Sequence, residues 1–476
     1  MAPTDTLRPE SGREEEQVAP QNNPLEWGRG KKWILTTIIV MMTATIAFCS
    51  SVYTAAIPTI AVHLQCSETV STLGVTTFLL GFGSGPLLFA PLSEIVGRNP
   101  VYRVTFCLFV LLQLACALSP NITSLLVFRF FSGFFGSPTV TNSGGSLTDL
   151  WAPSERTVPL ALFSAASFLG PVIAPTVGGF IAQYTSWHWI FWVVLILGGS
   201  VYIIMFFLLP ETYAPRLLQD AARQSSPTPG NTNLRAQYAA TLTRPWLMFF
   251  TEPILFLLSL YMALVYGILY LDFTAYPIVF TQSRHWSVGV SGLSFLGIGV
   301  GMAIATAGSP YLNRIHARYV RKLGPEPEAR LPHLIILSWA IPIGLFWFAW
   351  TSLPPTHWIS SIIAGVPFGL GLVTLFLGIT AYLTDCYGLY SASALAANAI
   401  LRSLFGAVFP LFAKQMYASL GTPWATSLLG FLAVAMAPLP LFFYTLGPKL
   451  RQRSKFHLRT IAEQEQVEKR TSVTSV

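Results

Sequence analysis

Twelve apolar stretches, each long enough to cross a bilayer as a helix, dominate this chain of 476 residues. A helix rises about 1.5 Å per residue, so roughly 20 apolar residues traverse a hydrocarbon core of ~30 Å. The stretches fall at residues 34–58, 70–92, 101–119, 123–147, 157–181, 187–209, 249–277, 288–310, 332–352, 358–383, 391–416 and 424–446. Lipid offers no water to exposed backbone N–H and C=O groups, so each stretch is expected to be an α-helix that satisfies itself. Only 10% of the residues are charged, against roughly 25% in a soluble domain, which excludes a water-soluble globule. The expected fold class is all-α integral membrane, with twelve transmembrane helices.

The one long polar interval separates the sixth stretch from the seventh and contains the run SSPTPGNTN. It divides the chain into a tail over 1–32, six helices over 33–210, a linker over 211–247, six more helices over 248–448 and a second tail over 449–476. Both tails read as disordered, and the first lacks the apolar core of a signal peptide. With the termini in the cytosol, 24 of the 28 Lys and Arg residues lie on the cytosolic side; Arg284 lies opposite, and Arg129, Arg402 and Lys414 fall within apolar segments. That asymmetry predicts cytosolic termini in a multi-pass protein, with the plasma membrane as the expected location. It also accounts for the net charge of +8 without nucleic acid. Cys49, Cys66, Cys107, Cys116 and Cys386 show neither metal-ligand nor disulfide-framework spacing.

The two sets of six helices resemble each other. Gly81, Gly83, Gly85 and Arg98 recur as Gly297, Gly299, Gly301 and Arg314, all at one offset of 216 residues. Duplication of this kind is the signature of a transporter built from repeats, with its site where the repeats meet. Glycines at this spacing also permit close helix packing in lipid, which explains why glycine was used.

Several motifs carry chemistry. Glu94, Gly97 and Arg98 place an acid, a glycine and a base at the inner end of the second helix, and Asp149 stands at the inner end of the fourth. These four are expected to form a cytoplasmic latch that is closed in the outward-facing state and breaks when the halves rock. Arg129 sits within the apolar run LLVFRFFSGFFGS, where a charge is costly unless paired or hydrated. The fifth helix carries Gly170-Pro171 followed by Pro175, Gly178 and Gly179, a smooth and bendable face on which the eighth helix packs.

These motifs resemble those of the major facilitator superfamily: the loop signature around Glu94, Gly97 and Arg98, the Arg129 and Gly133 pair, and the antiporter motif of the fifth helix. SWHWIFW, LPETY, the block Thr251 to Phe280 and the run Ser391 to Ala413 are similar to the fungal drug:proton antiporters with twelve spans. The resemblance covers about Trp33 to Leu450 and implies two pseudo-symmetric six-helix halves, alternating access and proton-coupled export. Within that branch Thr274 stands where an acid is usual and Asp272 where an aromatic is usual, so the carboxylate is turned by about 200° round the helix.

Coupling needs a group that takes and gives a proton. Arginine stays protonated, so Arg129 and Arg402 tune a neighbour rather than carry the proton. Asp272 is the one carboxylate inside a span away from its cytosolic end, which makes it the carrier by elimination, although hydration at the interface is an equal reading. Arg402 lies 11 residues into its helix, ~16 Å deep, near the midplane, and Asn398 shares its face one turn earlier. Tyr266 and Tyr270 are the tyrosines most expected to share a cavity wall.

No Walker A sequence and no hydrolase or metalloprotease motif occurs, so ATP-driven transport and enzymatic function are disfavoured. No cofactor or metal is expected. The expected partners are a small-molecule substrate, protons and the lipid bilayer, with no nucleic acid, and the protein is expected to be a monomer. The reading is a proton-coupled exporter of amphipathic drugs, toxins or fungal secondary metabolites. An uptake carrier of the same fold and a non-transporting membrane sensor remain as alternatives.

Overall fold

The computed structural model describes residues 23–152, 155–213, 216–217, 234–324, 326–454, 456 and 458. Helix α1 spans Arg29–Val52 and continues through a 3-10 turn, Tyr53–Ala56, into Ile57–His63. There follow α2 (Glu68–Val96), α3 (Arg98–Ala117), α4 (Ile122–Thr141, prolonged by Ser143–Leu150), α5 (Thr157–Tyr184) and α6 (His188–Leu208). The second set comprises α7 (Pro253–Pro277, ending in a π turn, Ile278–Ser283), α8 (Leu296–Leu323, preceded by Val288–Gly292), α9 (Pro332–Leu337 and Ala340–Thr351) and α10 (Trp358–Tyr387). A continuous helical run, Ser391–Met436, leaves helical geometry at Gly421 (φ 71°), which separates α11 (391–420) from α12 (422–451).

Ten helical stretches are long and apolar enough to span a membrane. The last of these, Ser391–Arg451, has 61 residues and holds two passes divided at Gly421. The remaining span is α4, whose apolar character is diluted by Arg129 and its small polar residues. The twelve-span, all-α expectation therefore holds. On α6, Ile196, Ile203 and Phe207 share one face and are exposed, as side chains meeting lipid should be.

The glycine repeat has a packing reason. A Cβ on Gly81 would lie 2.0 Å from the Phe130 carbonyl oxygen of α4, and one on Gly85 2.0 Å from Ser137 Oγ of the same helix. In the second half a Cβ on Gly297 or Gly301 would lie 1.8 or 2.0 Å from carbonyl oxygens of Ile362 and Val366 on α10. Residues i and i+4 share a helix face, while i+2 points almost oppositely. Accordingly the middle glycines look across to the other half, Gly83 toward Ser403 on α11 and Gly299 toward Val172 on α5. The two six-helix halves thus use the same three positions for the same two jobs.

Three readings of the connections change. The linker interval contains a helix, Leu234–Thr251, whose carboxy-terminal part packs against α11 and α2; the run SSPTPGNTN lies outside the described residues. The first tail ends before residue 32, because Pro24–Glu26 form a turn and Lys32 Nζ donates to the Leu25 carbonyl at 2.7 Å. The second tail begins after Arg451, which is buried; most of both tails lies outside the described residues.

Candidate functional site between the halves

The face carrying residues 29 and 451 is called the terminal face below, and the opposite one the far face. Roughly midway between them, Arg402 of α11 lines a small pocket with Phe168 of α5, Met262, Val265 and Tyr266 of α7, and Leu372, Leu375 and Phe376 of α10. Phe168 and Phe376 come from different halves and meet edge to face at 4.6 Å between centroids. The Arg402 guanidinium lies over the rings of Tyr266 and Phe376, 4.9 Å from each centroid, an arrangement favourable for a desolvated cation. Its Nε has no hydrogen-bond partner, and no carboxylate pairs with it among the described residues. The free space amounts to about 10 Å³, little more than one water occupies, so a ligand enters only as the helices part.

Arg129 is placed differently. It is fully buried, and its Nε donates to the Gly74 carbonyl of α2 at 3.0 Å while Nη1 and Nη2 reach the carbonyls of Cys49 and Ser50 on α1 at 3.1 and 3.5 Å. Those α1 carbonyls stand where the helix winds into its 3-10 turn, and the Tyr53 N–H points to Ser51 instead of Cys49. Tyr53 and Phe78 cover the guanidinium at 4.9 and 4.4 Å.

A chain of hydroxyls joins the two arginine environments. Tyr266 donates to Tyr270 at 3.4 Å, Tyr270 donates to Ser50 Oγ in the other half at 2.8 Å, and Ser50 donates to the Ala47 carbonyl. Tyr270 is buried and lines neither cavity. Asn398, expected on the cavity face, instead donates to Ser259 Oγ at 3.1 Å and to Met262 Sδ, so it ties α11 to α7 within one half.

Beyond this chain lies a vestibule of about 200 Å³, lined from both halves by Thr54, Thr72, Pro175, Phe273, Thr274 and Pro410 among others. Thr274 faces it and Asp272 does not, in keeping with the 200° turn between them. Asp272 is 3% exposed, which removes the reading of a carboxylate hydrated at the interface. It lies close to Tyr276 and Tyr417, with no cation paired to it among the described residues.

The halves are bonded to each other on the far side of Arg402. Thr76 donates to the Ala407 carbonyl, Thr176 to that of Gly292, the Gly289 N–H to Gln183, and Lys414 pairs with Glu68 at 2.5 Å. The antiporter motif takes part. Pro175 and Thr176 approach Gly292, a Cβ on Gly179 would sit 2.8 Å from the Val288 carbonyl, and Gly178 faces α1, as does Gly170, while the Pro171 carbonyl accepts from Ser51.

On the terminal face, Arg98 Nε meets Asp149 at 2.6 Å. Both residues belong to the first half, and the pair is made while the far side is bonded shut. It therefore does not behave as the expected latch that closes only in the outward-facing state. The Glu94 side chain lies outside the described residues. The residue that sequence reasoning missed is Glu211, noticed only within LPETY. Its carboxylate accepts from the backbone N–H groups of Arg98, Asn99, Thr212 and Tyr213 at 2.9–3.0 Å, capping the start of α3 where helix N–H groups lack partners. Gly97 (φ 104°) lets the chain turn there, and a Cβ on it would sit 2.5 Å from Glu211 Oε2. The second half repeats the ion pair as Arg330 with Asp385 at 2.6 Å, not through exposed Arg314. Beside it the buried Glu328 accepts from Arg451 at 2.7 Å and from Tyr382.

Comparison with known proteins now has geometry to rest on. The Major Facilitator Superfamily model matches residues 39–410. The chain is similar to the Aspergillus fumigatus multidrug transporter mdrA, 45% identical over 93% of this chain and 76% of that protein. It is also similar to the citrinin biosynthesis cluster transporter mrr1 of Monascus ruber, 41% identical over 92% of this chain and 90% of that one. Among solved structures it resembles the proton:xylose symporter XylE (TM-score 0.64, 16% identity, 88% and 96% covered) and human MFSD10 (TM-score 0.57, 18% identity, 87% and 99% covered), which bears on the fold alone.

Proposed function

This chain belongs to the Major Facilitator Superfamily, and on that premise we propose that it exports amphipathic drugs, toxins or secondary metabolites across the plasma membrane in exchange for protons. The terminal face is cytosolic in this reading, as the distribution of basic residues requires, and the transporter works as a monomer. The observation that carries the proposal is Arg402, a guanidinium with a free N–H edge on an apolar, aromatic-walled pocket between the halves. Such a pocket suits a molecule with a flat apolar body and an electron-rich or acidic group, because binding gives the guanidinium the charge-assisted partner it lacks. The relatives named for multidrug transport and for the citrinin and ascochitine clusters support export of organic molecules of this kind.

Asp272 is the proposed proton carrier. A buried carboxyl without a cation alternates between a protonated form that suits apolar surroundings and an ionised form that needs water. Glu94, Gly97, Arg98 and Asp149, with Glu211, brace the terminal end of α2, α3 and α4 as a unit while the halves move.

Proteoliposomes with an acidic lumen test the proposal, with anilinonaphthalene sulfonate, a fluorescent aromatic anion, as the probe. Uptake of the probe with release of lumenal protons, abolished by a protonophore, is the expected result. Uptake indifferent to the gradient would contradict the coupling. Uptake that requires protons to move with the probe would favour the uptake carrier.

A further inference from the structure

We propose that the hydrogen bond from Tyr270 to Ser50 is the gate between the central pocket and the far vestibule, and that Arg129 is the positioning residue that holds Ser50 in place for it. Tyr266, Tyr270 and Phe273 form a continuous aromatic row on α7, with centroids 4.9 and 5.2 Å apart. The first of them lines the pocket and the last lines the vestibule. Tyr270 stands between the two spaces, buried, and its hydroxyl crosses to α1 of the other half at 2.8 Å. Parting the halves on the far side must break this bond, whereas a tyrosine that merely packs within its own half would keep its partner.

Ser50 is not held by ordinary helix bonding alone. It lies at the last turn of α1 before the 3-10 segment, where the backbone ladder is interrupted. Arg129 fills that interruption by donating to the carbonyls of Cys49 and Ser50 while anchored to Gly74 of α2. Its guanidinium thus fixes, through the backbone, the height at which the Ser50 hydroxyl meets Tyr270. The role differs from charge coupling, because the groups bonded to Arg129 are carbonyls and the Cys49 thiol rather than a titrating carboxylate.

A thiol on the pocket wall reports the gate. Val265→Cys places one five residues nearer the terminal face than Tyr270, and Thr281→Cys places another on the vestibule wall. Sealed membrane vesicles of both orientations are treated with an impermeant maleimide, with the parent protein subtracted for Cys66 and Cys107. The orientation in which Thr281→Cys reacts defines the far side, so the test depends neither on topology nor on transport. From that side, Tyr270→Phe and Ser50→Ala should each speed labelling of Val265→Cys about fivefold, the factor for one net hydrogen bond. The double variant should be no faster than either single one. Arg129→Lys, which keeps the charge and part of the carbonyl bonding, should speed labelling in the parent background and leave it unchanged when Tyr270 is already Phe. Arg129→Gln, a neutral donor, provides the second arm and should behave in the same way. An unchanged rate in both Tyr270→Phe and Ser50→Ala overturns the gate. An Arg129 effect that persists at full size in the Tyr270→Phe background overturns the positioning role, since it would act elsewhere.

Discussion

Arg129 and Arg402 are two guanidiniums inside apolar helices, and they solve the same problem in opposite ways. Arg129 spends its donors on backbone carbonyls that a break in α1 sets free, and it is covered by two aromatic rings. Arg402 has the aromatic rings but not the carbonyls, and its Nε is left without a partner beside a pocket. A buried charge whose hydrogen bonds are complete contributes to structure, and its removal orphans the groups it served. A buried charge whose bonds are incomplete costs the empty protein free energy that a ligand can recover. The difference locates the binding function at one arginine and the framework at the other.

The sharpest way to break this comparison is to truncate both. Arg129→Ala leaves the carbonyls of Gly74 and Cys49 without their donor in a dry site, at about 1–3 kcal/mol each, so a loss of about 4 kcal/mol is expected. Thermal unfolding in detergent, followed by the fluorescence of a fused reporter on size exclusion, reads it. Arg402→Ala in the same assay should change stability by less than about 1 kcal/mol, because no group depends on it. An equal loss in both would erase the distinction.

Smaller effects sharpen the contrast between the halves on the terminal face. Glu211→Gln removes the charge from a carboxylate that caps α3 and should cost about 1 kcal/mol, again read as a thermal shift. Arg98→Ala and Arg330→Ala remove pairs of matching length, but the Arg98 pair is less exposed (14% and 19%) than the Arg330 pair (28% and 34%). Both losses should stay below about 1 kcal/mol, with Arg98 the larger. A larger loss at Arg330 would show that the second half relies on this pair as well as on buried Glu328 and Arg451.

The twelve spans and the duplication were legible because lipid imposes length and apolarity on every helix, and because Gly81, Gly83 and Gly85 and their repeats are needed for backbone approach. Arg402 was legible from depth alone. The division between Arg402 and Arg129 was not, since the partners of Arg129 are main-chain carbonyls, which have no sequence signature. Glu211 was hidden for the same reason: it serves N–H groups of α3, over 100 residues earlier in the chain. Asn398 was placed on the cavity face by helical spacing, yet its bonds to Ser259 and Met262 turn it into the C-terminal half. Spacing orders residues on one helix and says nothing about which neighbouring helix that face meets.

The most direct test of the central claim is equilibrium binding of anilinonaphthalene sulfonate to the purified protein in lipid nanodiscs, with empty discs subtracted. A charge-assisted hydrogen bond is worth about 1.5–3 kcal/mol, so Arg402→Gln should weaken the Kd at least about tenfold while the thermal midpoint holds. Arg129→Lys should leave the Kd within about twofold of the parent while lowering the midpoint. Binding that survives Arg402→Gln and is lost in Arg129→Lys would contradict the account.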